Sequence, residues 1–427
     1  IYNMTKLADM KFDSFHANNK DYPLGYSLFE DDYEYESDTQ IRRSAFDAFS
    51  KKLAQYENTT AAAYNSQVQT EKTMATLRGF ESVFDSLLFD QKVSRELYDR
   101  QIDLITTKLS VHMRKYARLL KKIHKLDRMT FADLKISVDP EYDPKVTIEG
   151  SKEYIEKGLS ILGPEYVDMV REAYRDRWVD FAKNQGKSTG GFCASPYGTN
   201  SFILLSWNDR MADVFTLAHE MGHSIHTWYS NKNQSYTYSG YKIFVAEVAS
   251  TCNEALLIRH LLKNSKDKQE KAYLLNYFLE KFRTTLYRQT MFAEFEQKAH
   301  EMAAAGESMT SQSLCNIYKK LNEDYFGPDT VIDPEIQYEW ERIPHFYTPF
   351  YVYQYATGFS AAIAISRKIF NGEPGILEGY KKFLSGGCSD TPIELLKLAG
   401  VDMSHTGPVE EALKFFEELL NEFEELA

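Results

Sequence analysis

Several residue types and patterns are scarce in this chain of 427 residues, and each absence excludes a class of protein. Cysteine occurs at four widely separated positions without a Cys-x-x-Cys pair, which argues against a disulfide framework and indicates free thiols in a reducing compartment. With 21 glycines and 12 prolines, the chain is neither collagen-like nor of low complexity. No run approaches the roughly 18 apolar residues of a membrane helix, and the first residues show no signal-peptide pattern.

Basic residues are also in the minority. Lys and Arg number 50 against 62 Asp and Glu, which gives a net charge of −12, whereas a nucleic-acid-binding protein is expected to carry a basic surface. The basic stretch at 114–125 has helical spacing and is predicted to be the solvated face of a helix. The sequence therefore predicts a soluble, cytoplasmic, acidic globular protein with neither nucleic-acid nor membrane partners, and it leaves the oligomeric state open.

The residues that are plentiful favour a mostly α fold. Hydrophobic residues make up 43% of the chain, enough for a large core. Apolar residues recur at intervals of three and four, which predicts helices at 38–78, 94–125, 151–162 and 165–184 and again from 209 onward. The segment 185–207 is rich in Gly and Ser and then apolar, which is typical of a loop followed by a short strand or hairpin. The predicted class is mostly α with a small sheet.

A His-Glu-x-x-His pattern carries the strongest chemical signal. His219 and His223 are four residues apart, so on a helix both imidazoles can reach one metal ion. Glu220 lies about 100° round the same helix, beside the metal, where it can hold and deprotonate a water. The alternative is a pair of stacked, hydrogen-bonded core histidines. For the nearby His226 we predict a structural role.

A catalytic zinc needs a third protein ligand. The metalloprotease variant with a third histidine is excluded, because its two further positions hold His226 and Tyr229. A carboxylate on the next helix, predicted at 241–262, is the other solution. Glu247 lies 24 residues beyond His223, and if the first helix ends near Thr227, an antiparallel pair brings them level. Glu254, on the same face as Glu247, is either a partner of a ligand imidazole or an ordinary polar helix position.

The segments around this pattern resemble a known family. HEMGHSIH and FVAEVASTCNEALL, with GKSTGGF, YGTNSFILL, FRTTLYRQTMFAEFEQKAHE, RIPHFYTPFYVYQYATGFSAA and AGVDM, closely resemble the oligoendopeptidase F branch of the thimet-oligopeptidase-like zinc peptidases. The resemblance begins near residue 36. It implies a zincin-type multi-helix catalytic domain at 36–427 with a small sheet beside a deep substrate cleft. Residues 1–35 are then expected to be the end of an N-terminal lobe that is otherwise absent.

The same resemblance implies the roles of the site residues. It assigns His219, His223 and Glu247 as ligands of one zinc per chain and Glu220 as the general base. A His and a Tyr from the segment matching 344–357 stabilise the oxyanion in related peptidases, which supports His345. Among the tyrosines of this segment we favour Tyr355 and then Tyr351, which are predicted to share a helix face; the alternative is aromatic core or groove lining.

Backbone pairing is the predicted mode of substrate binding. In zinc peptidases with this motif an edge strand near the zinc pairs with the substrate, and 199–206 is the candidate strand. Gly190, Gly191 and Gly198 would leave room for a peptide beside it. A plain structural hairpin is the alternative.

The predicted function is a zinc-dependent endopeptidase that hydrolyses oligopeptide substrates. The resemblance, not the spacing, supplies the preference for internal bonds of short peptides. Two alternatives stay open: an exopeptidase, whether amino- or carboxypeptidase, on the same zinc site, and an inactive peptide-binding module. The intact Glu220 argues against the second alternative, because a pure binding module needs no base at that position.

Overall fold

In a computed structural model, the structure describes residues 1–139, 142, 144–184, 187 and 190–426. Helices dominate these residues. The helices of the first half are α1 (Tyr2–Met4), α2 (Thr39–Ala54), α3 (Glu57–Leu77), α4 (Val83–Gln91), α5 (Arg95–Leu104), α6 (Ser110–Ile123), α7 (Ile148–Leu159) and α8 (Pro164–Arg175). Those of the second half are α9 (Met211–Asn233), α10 (Ile243–Asn264), α11 (Lys268–Lys281), α12 (Arg288–Ala305), α13 (Ser311–Phe326), α14 (Tyr353–Phe370), α15 (Ile376–Leu384), α16 (Pro392–Leu398) and α17 (Gly407–Leu426).

Segments of π-helix and 3-10 helix link some of these helices. A π-helical segment, Phe282–Tyr287, joins α11 to α12, and another, Ile105–Leu109, joins α5 to α6. Two 3-10 segments, Pro334–Arg342 and Pro344–Tyr347, precede α14. Among the described helices, none combines the length and the apolar character required to cross a bilayer.

Two small sheets complete the described structure. The strands β1 (Phe15–Ala17) and β2 (Lys20–Tyr22) form an antiparallel hairpin. The second sheet consists of β3 (Val179–Asp180), β4 (Phe192–Ala194) and β5 (Phe202–Leu204), in the order β3-β5-β4. The central strand β5 pairs parallel with β3 and antiparallel with β4. The prediction of a mostly α fold with a small sheet is confirmed.

The core of the site region is a stack of three helices, α9, α10 and α14. The apolar residues of α10 and α14 are almost entirely buried, as expected for helices that are covered on all sides. Partners on α9 and α10 run in opposite directions: Ala218 contacts Asn253, and the more C-terminal Gly222 lies against Ser250. The two helices are therefore antiparallel, as the motif spacing predicts.

Several predicted boundaries are wrong. The helix predicted at 38–78 is two helices, because the chain turns at Gln55–Tyr56 and then packs α3 against α12 and α13. The helix predicted at 165–184 ends at Arg175, and β3 follows it. The motif helix extends to Asn233 rather than ending near Thr227. In the loop predicted at 185–207, Gln185, Gly186, Ser188 and Thr189 lie outside the described residues.

A second, smaller hydrophobic cluster lies at the N-terminal end of the described chain. It joins residues of 10–33 to α2, with Phe29 stacked on Phe49 at a ring-centroid distance of 4.0 Å. The Asp38 side chain caps α2 by accepting from the backbone N–H groups of Gln40 and Ile41. The division of the chain at 35 and 36 stays a prediction.

Candidate active site

The motif helix α9 is anchored by its apolar side. Val214, Leu217, Ala218, Met221 and Ile225 are fully buried. Because these residues fix the rotation of the helix, His219 and His223 fall on its remaining face and keep 23% and 20% of their side chains exposed. Both imidazoles therefore reach a partly open surface.

Glycine allows α10 to approach this face closely. A Cβ at Gly222, inside the motif, would lie 2.5 Å from the Cα of Ser250 and 2.7 Å from the carbonyl oxygen of Ala249. Gly358 likewise allows α14 to approach the opposite side of α10, because a Cβ at Gly358 would lie 3.3 Å from the Cβ of Glu247. The two glycines place Glu247 between α9 and α14.

Three side chains converge at this point, those of His219, His223 and Glu247, which we call the cluster. Glu247 Oε2 lies 3.4 Å from His219 Nε2 and 3.8 Å from His223 Nε2, and one ligand atom from each residue lies within 4.8 Å of the others. Two imidazoles and a carboxylate are a donor set of catalytic zinc sites, which bind at about 2.0–2.2 Å and keep a fourth position open. Among the described residues this is the one His/Cys/Asp/Glu group that could hold a metal.

A second row of charged groups orients His219. Glu254 Oε1 lies 2.6 Å from His219 Nδ1, and Lys281 Nζ lies 2.8 Å from Glu254 Oε2. Burial alone would raise the pKa of Glu254, but Lys281 and the hydrogen bond from His219 outweigh it and lower that pKa to about 2. The ionised carboxylate holds the Nδ1 proton, so Nε2, which faces Glu247, is the nitrogen left to bind a metal. Ser250 Oγ donates to Glu247 Oε2 at 3.1 Å.

Glu220 lies beside the cluster with an unused oxygen. The residue is 5% exposed, and its buried Oε2 has no hydrogen-bond partner among the described residues. Burial raises the pKa of this carboxyl to about 7. A Cβ at Gly191 would lie 3.4 Å from Glu220 Oε1 and 2.9 Å from a side-chain atom of Thr216, so glycine keeps the chain close to the carboxyl without a clash.

The aromatic segment divides into two groups. The rings of His345, Tyr351 and Tyr355, which we call the aromatic group, contact one another with centroids 5.2–6.0 Å apart. Burial, the hydrogen bond with Tyr351 and the charge of Glu247 all raise the pKa of Tyr355. Tyr355 lies one helical turn before Gly358, the residue of α14 that packs against Glu247. Tyr353 and Tyr347 point elsewhere: Tyr353 is buried and donates to Gln91, and the ring of Tyr347 stacks on that of Tyr2 at 4.3 Å.

Comparison with known proteins decides the family. The model of Peptidase family M3 matches residues 33–415. The chain belongs to peptidase family M3. It is 45% identical to "Oligopeptidase PepF" of Bacillus subtilis (strain 168) over 91% of its own length and 58% of that protein. It is also 36% identical to "Oligoendopeptidase F homolog" of Borreliella burgdorferi, over the whole chain and 72% of that protein.

The fold of this M3 chain is also found in solved structures. The crystal structure of oligoendopeptidase-F from Enterococcus faecium superposes with a TM-score of 0.81 at 33% identity, over all of this chain and 70% of the other. The chain spans 58% and 64% of the first two curated relatives, so it corresponds to about three fifths of their length. The predicted resemblance to the oligoendopeptidase F branch is confirmed.

Two expectations for the M3 chain need correction. The strand predicted at 199–206 is not an edge strand, because β5 lies between β3 and β4; the edge strands of this sheet are β3 and β4. Tyr351 and Tyr355 do not share a helix face, because α14 begins at Tyr353 and the two rings meet across a turn.

His226 is a core residue, and its ring stacks on that of Tyr241 at a centroid distance of 3.8 Å.

Sequence reasoning missed Lys281. It is one of 50 basic residues and lies 27 positions from its partner Glu254, so no local pattern marks it. The one signal is that Glu254, a buried carboxylate, must be paired, and the burial of Glu254 cannot be read from a single position of the sequence.

Proposed function

We propose that this M3 chain forms the catalytic part of a zinc-dependent endopeptidase for oligopeptides. The observation that carries the proposal is the convergence of His219, His223 and Glu247 beside Glu220, a buried carboxyl with a free oxygen. A structural metal site would have no use for that fourth group, whereas hydrolysis requires a base beside the metal.

Glu220 is the proposed general base and acid. A zinc ion held by His219, His223 and Glu247 would supply Lewis acidity to the water and to the scissile carbonyl. The Glu220 carboxylate accepts the proton of the attacking water and then delivers it to the leaving amine. The same carboxyl is therefore the proton acceptor in the first step and the proton donor in the second.

The aromatic group is the proposed stabiliser of the oxyanion. Tyr355 lies one helical turn before Gly358, which packs against Glu247, and its phenol can donate a hydrogen bond to the negative oxygen that forms on the substrate. Tyr351 and His345 contact the Tyr355 ring and are the alternative donors. Their side chains are half-buried, so they are accessible to a substrate, unlike that of Tyr353.

The proposed substrate path follows α9 and the free edge of β4. An open cavity of about 500 Å³ adjoins Thr216 and Leu205, and another of about 450 Å³ adjoins Thr227 and Trp228. Thr216 and Trp228 are 12 residues apart, about 18 Å along the helix, the length of about five residues of extended peptide. Glu220 lies between them on the same helix, which suits cleavage inside a short peptide bound to the β4 edge.

A peptide blocked at both termini and carrying an internal fluorophore–quencher pair tests this function. We expect the zinc-loaded chain to cleave it, and Glu220→Gln to keep zinc while losing activity by several orders of magnitude, since an amide cannot accept the proton. Glu153→Gln, the same change at an exposed carboxyl on α7, is the control. An intact blocked peptide with trimming of the unblocked analogue would indicate an exopeptidase, and binding without cleavage of either would indicate a binding module.

A further inference from the structure

A chain reversal at Phe350 brings His345 back against Tyr351 and Tyr355. The 3-10 segment Pro344–Tyr347 leads into it, and α14 leaves it. Phe350 has φ = 52°, in the left-handed region, which is unfavourable for a bulky side chain. Such a conformation persists only where the surroundings hold it in place.

Hydrogen bonds fix the backbone of this turn on both sides of Phe350. The N–H group of Phe350 donates to Glu296 Oε1 at 2.7 Å. Its carbonyl oxygen accepts from Gln91 Nε2 and from Gln354 Nε2, each at 3.0 Å. Glu296 belongs to α12 and Gln91 ends α4, so two helices remote in sequence hold the same residue.

The Phe350 ring is fixed as well. It is fully buried and lies against the rings of Phe84, Tyr98 and His300 at centroid distances of 4.7, 5.5 and 5.1 Å. Because the ring cannot leave the core, the amide must point toward α12, where an unpaired N–H would be costly. Burial raises the pKa of Glu296 to about 8, so the carboxyl is mostly uncharged at neutral pH and glutamine is a close replacement.

From this geometry we infer that Glu296, a residue outside the metal site, is a positioning residue that holds the Phe350 turn and so keeps Tyr351 and Tyr355 in place against His345. The inference rests on the proposed function, since it assigns the phenols their place in the reaction. Glu296 does not touch the cluster itself; it acts through one backbone hydrogen bond at the point where the chain reverses.

The test compares Glu296→Met, which removes the acceptor at similar side-chain length, with Glu296→Gln, which retains an oxygen. We expect Glu296→Met to lower kcat about 10–100-fold with KM and zinc content nearly unchanged, because only the donor to the oxyanion is displaced. Glu296→Gln should stay within about threefold of wild type. In a Tyr355→Phe background, Glu296→Met should lower kcat by less than about threefold more, since the phenol is already absent.

Hydrogen–deuterium exchange of the amides at 348–356 gives a readout that does not depend on turnover. We expect faster exchange in Glu296→Met than in wild type and in Glu296→Gln. If Glu296→Met does not fold, Gln91→Leu, at a half-buried site, removes both the bond to the Phe350 carbonyl and the acceptor of the Tyr353 hydroxyl, and it should show the same changes.

The outcomes separate the two proposals. Equal kcat losses in Glu296→Gln and Glu296→Met, independent losses in the double variant, or unchanged exchange at 348–356 would each overturn the role of Glu296. A zinc-loaded wild type without turnover, but with exchange that depends on Glu296, would instead refute the proposed function and leave the control of the turn by Glu296 standing.

Discussion

The hydrogen bond between His219 and Glu254 determines which nitrogen of the imidazole is available. Because Glu254 lies 2.6 Å from Nδ1 and is itself held by Lys281, a proton stays on Nδ1, and Nε2, which faces Glu247, is the nitrogen left to bind a metal. A residue that never touches the metal can therefore decide how strongly the metal is bound.

Zinc binding should depend strongly on the three ligands and less strongly on the residues that orient them. We expect His219→Ala, His223→Ala and Glu247→Ala each to abolish tight zinc binding, because two ligands cannot hold a catalytic ion. Lys281→Met should weaken it about 10–100-fold by releasing Glu254. Zinc titration against a competing chelator measures all four variants, with His260→Ala on α10 as the control. Full occupancy in Glu247→Ala would place the third ligand elsewhere.

The phenols can be separated by single-atom changes. Tyr355→Phe should lower kcat by roughly 10²–10³-fold with little change in KM, because the lost O–H acts mainly on the charge of the transition state. Tyr347→Phe is the matched control, since that hydroxyl has no partner among the described residues. Steady-state kinetics on the blocked peptide decides. If Tyr355→Phe leaves kcat unchanged while Tyr351→Phe or His345→Ala lowers it, the residue whose variant is impaired is the donor to the oxyanion.

At the scale of elements, the pairing of α9 with α10 depends on a residue inside the motif. Gly222→Ala would put a Cβ 2.5 Å from the Cα of Ser250, so the helices must separate. We expect a loss of about 1–3 kcal/mol in the free energy of unfolding, together with weaker zinc binding as Glu247 recedes. Gly240→Ala, where a Cβ meets nothing within 4 Å, is the control. Thermal unfolding without zinc, and zinc titration, should distinguish the two variants; identical behaviour would contradict this account.

The convergence of the ligands was predictable because it depends on local rules. An i, i+4 pair on one helix and a carboxylate on the next antiparallel helix need only helical geometry. The break at Gln55–Tyr56 has no glycine or proline to mark it, and β3 is two residues long and exists only through its pairing with β5. The extension of α9 to Asn233 is supported by remote contacts, such as that of the Gln234 side chain with the Ser385 carbonyl. Such features depend on partners far away in the sequence.

At the scale of the whole molecule, a buried ion network ties the N-terminal cluster to the segment that carries His345. Glu34 pairs with Lys135 and, at 2.9 Å, with Arg342, which also contacts Glu339 at 2.7 Å. Arg342 ends the 3-10 segment that precedes His345. The network therefore connects the residues before α2 with the entry to the aromatic group.

This network should make stability depend on pH. Burial would raise the pKa of Glu34, but Arg342 and Lys135 outweigh it and lower the pKa from 4.5 to about 2. A carboxyl whose pKa is lower in the folded state stabilises the fold above its unfolded pKa, and this contribution is lost as the pH falls from about 4.5 to about 2. The difference of 4.5 − 2 = 2.5 units corresponds to about 3 kcal/mol at neutral pH.

Glu34→Gln should therefore destabilise the chain by about 3 kcal/mol at pH 7 and by progressively less as the pH approaches 2, because the wild-type carboxyl is then also neutral. The shift of the urea midpoint at pH 7 and at pH 3 measures the effect. Glu153→Gln, which breaks the exposed pair with Lys157, is the matched control and should leave the midpoint nearly unchanged. A Glu34→Gln shift that is equally large at both pH values would mean that the variant acts through packing, and that the ion network does not hold the N-terminal cluster to the body of the molecule.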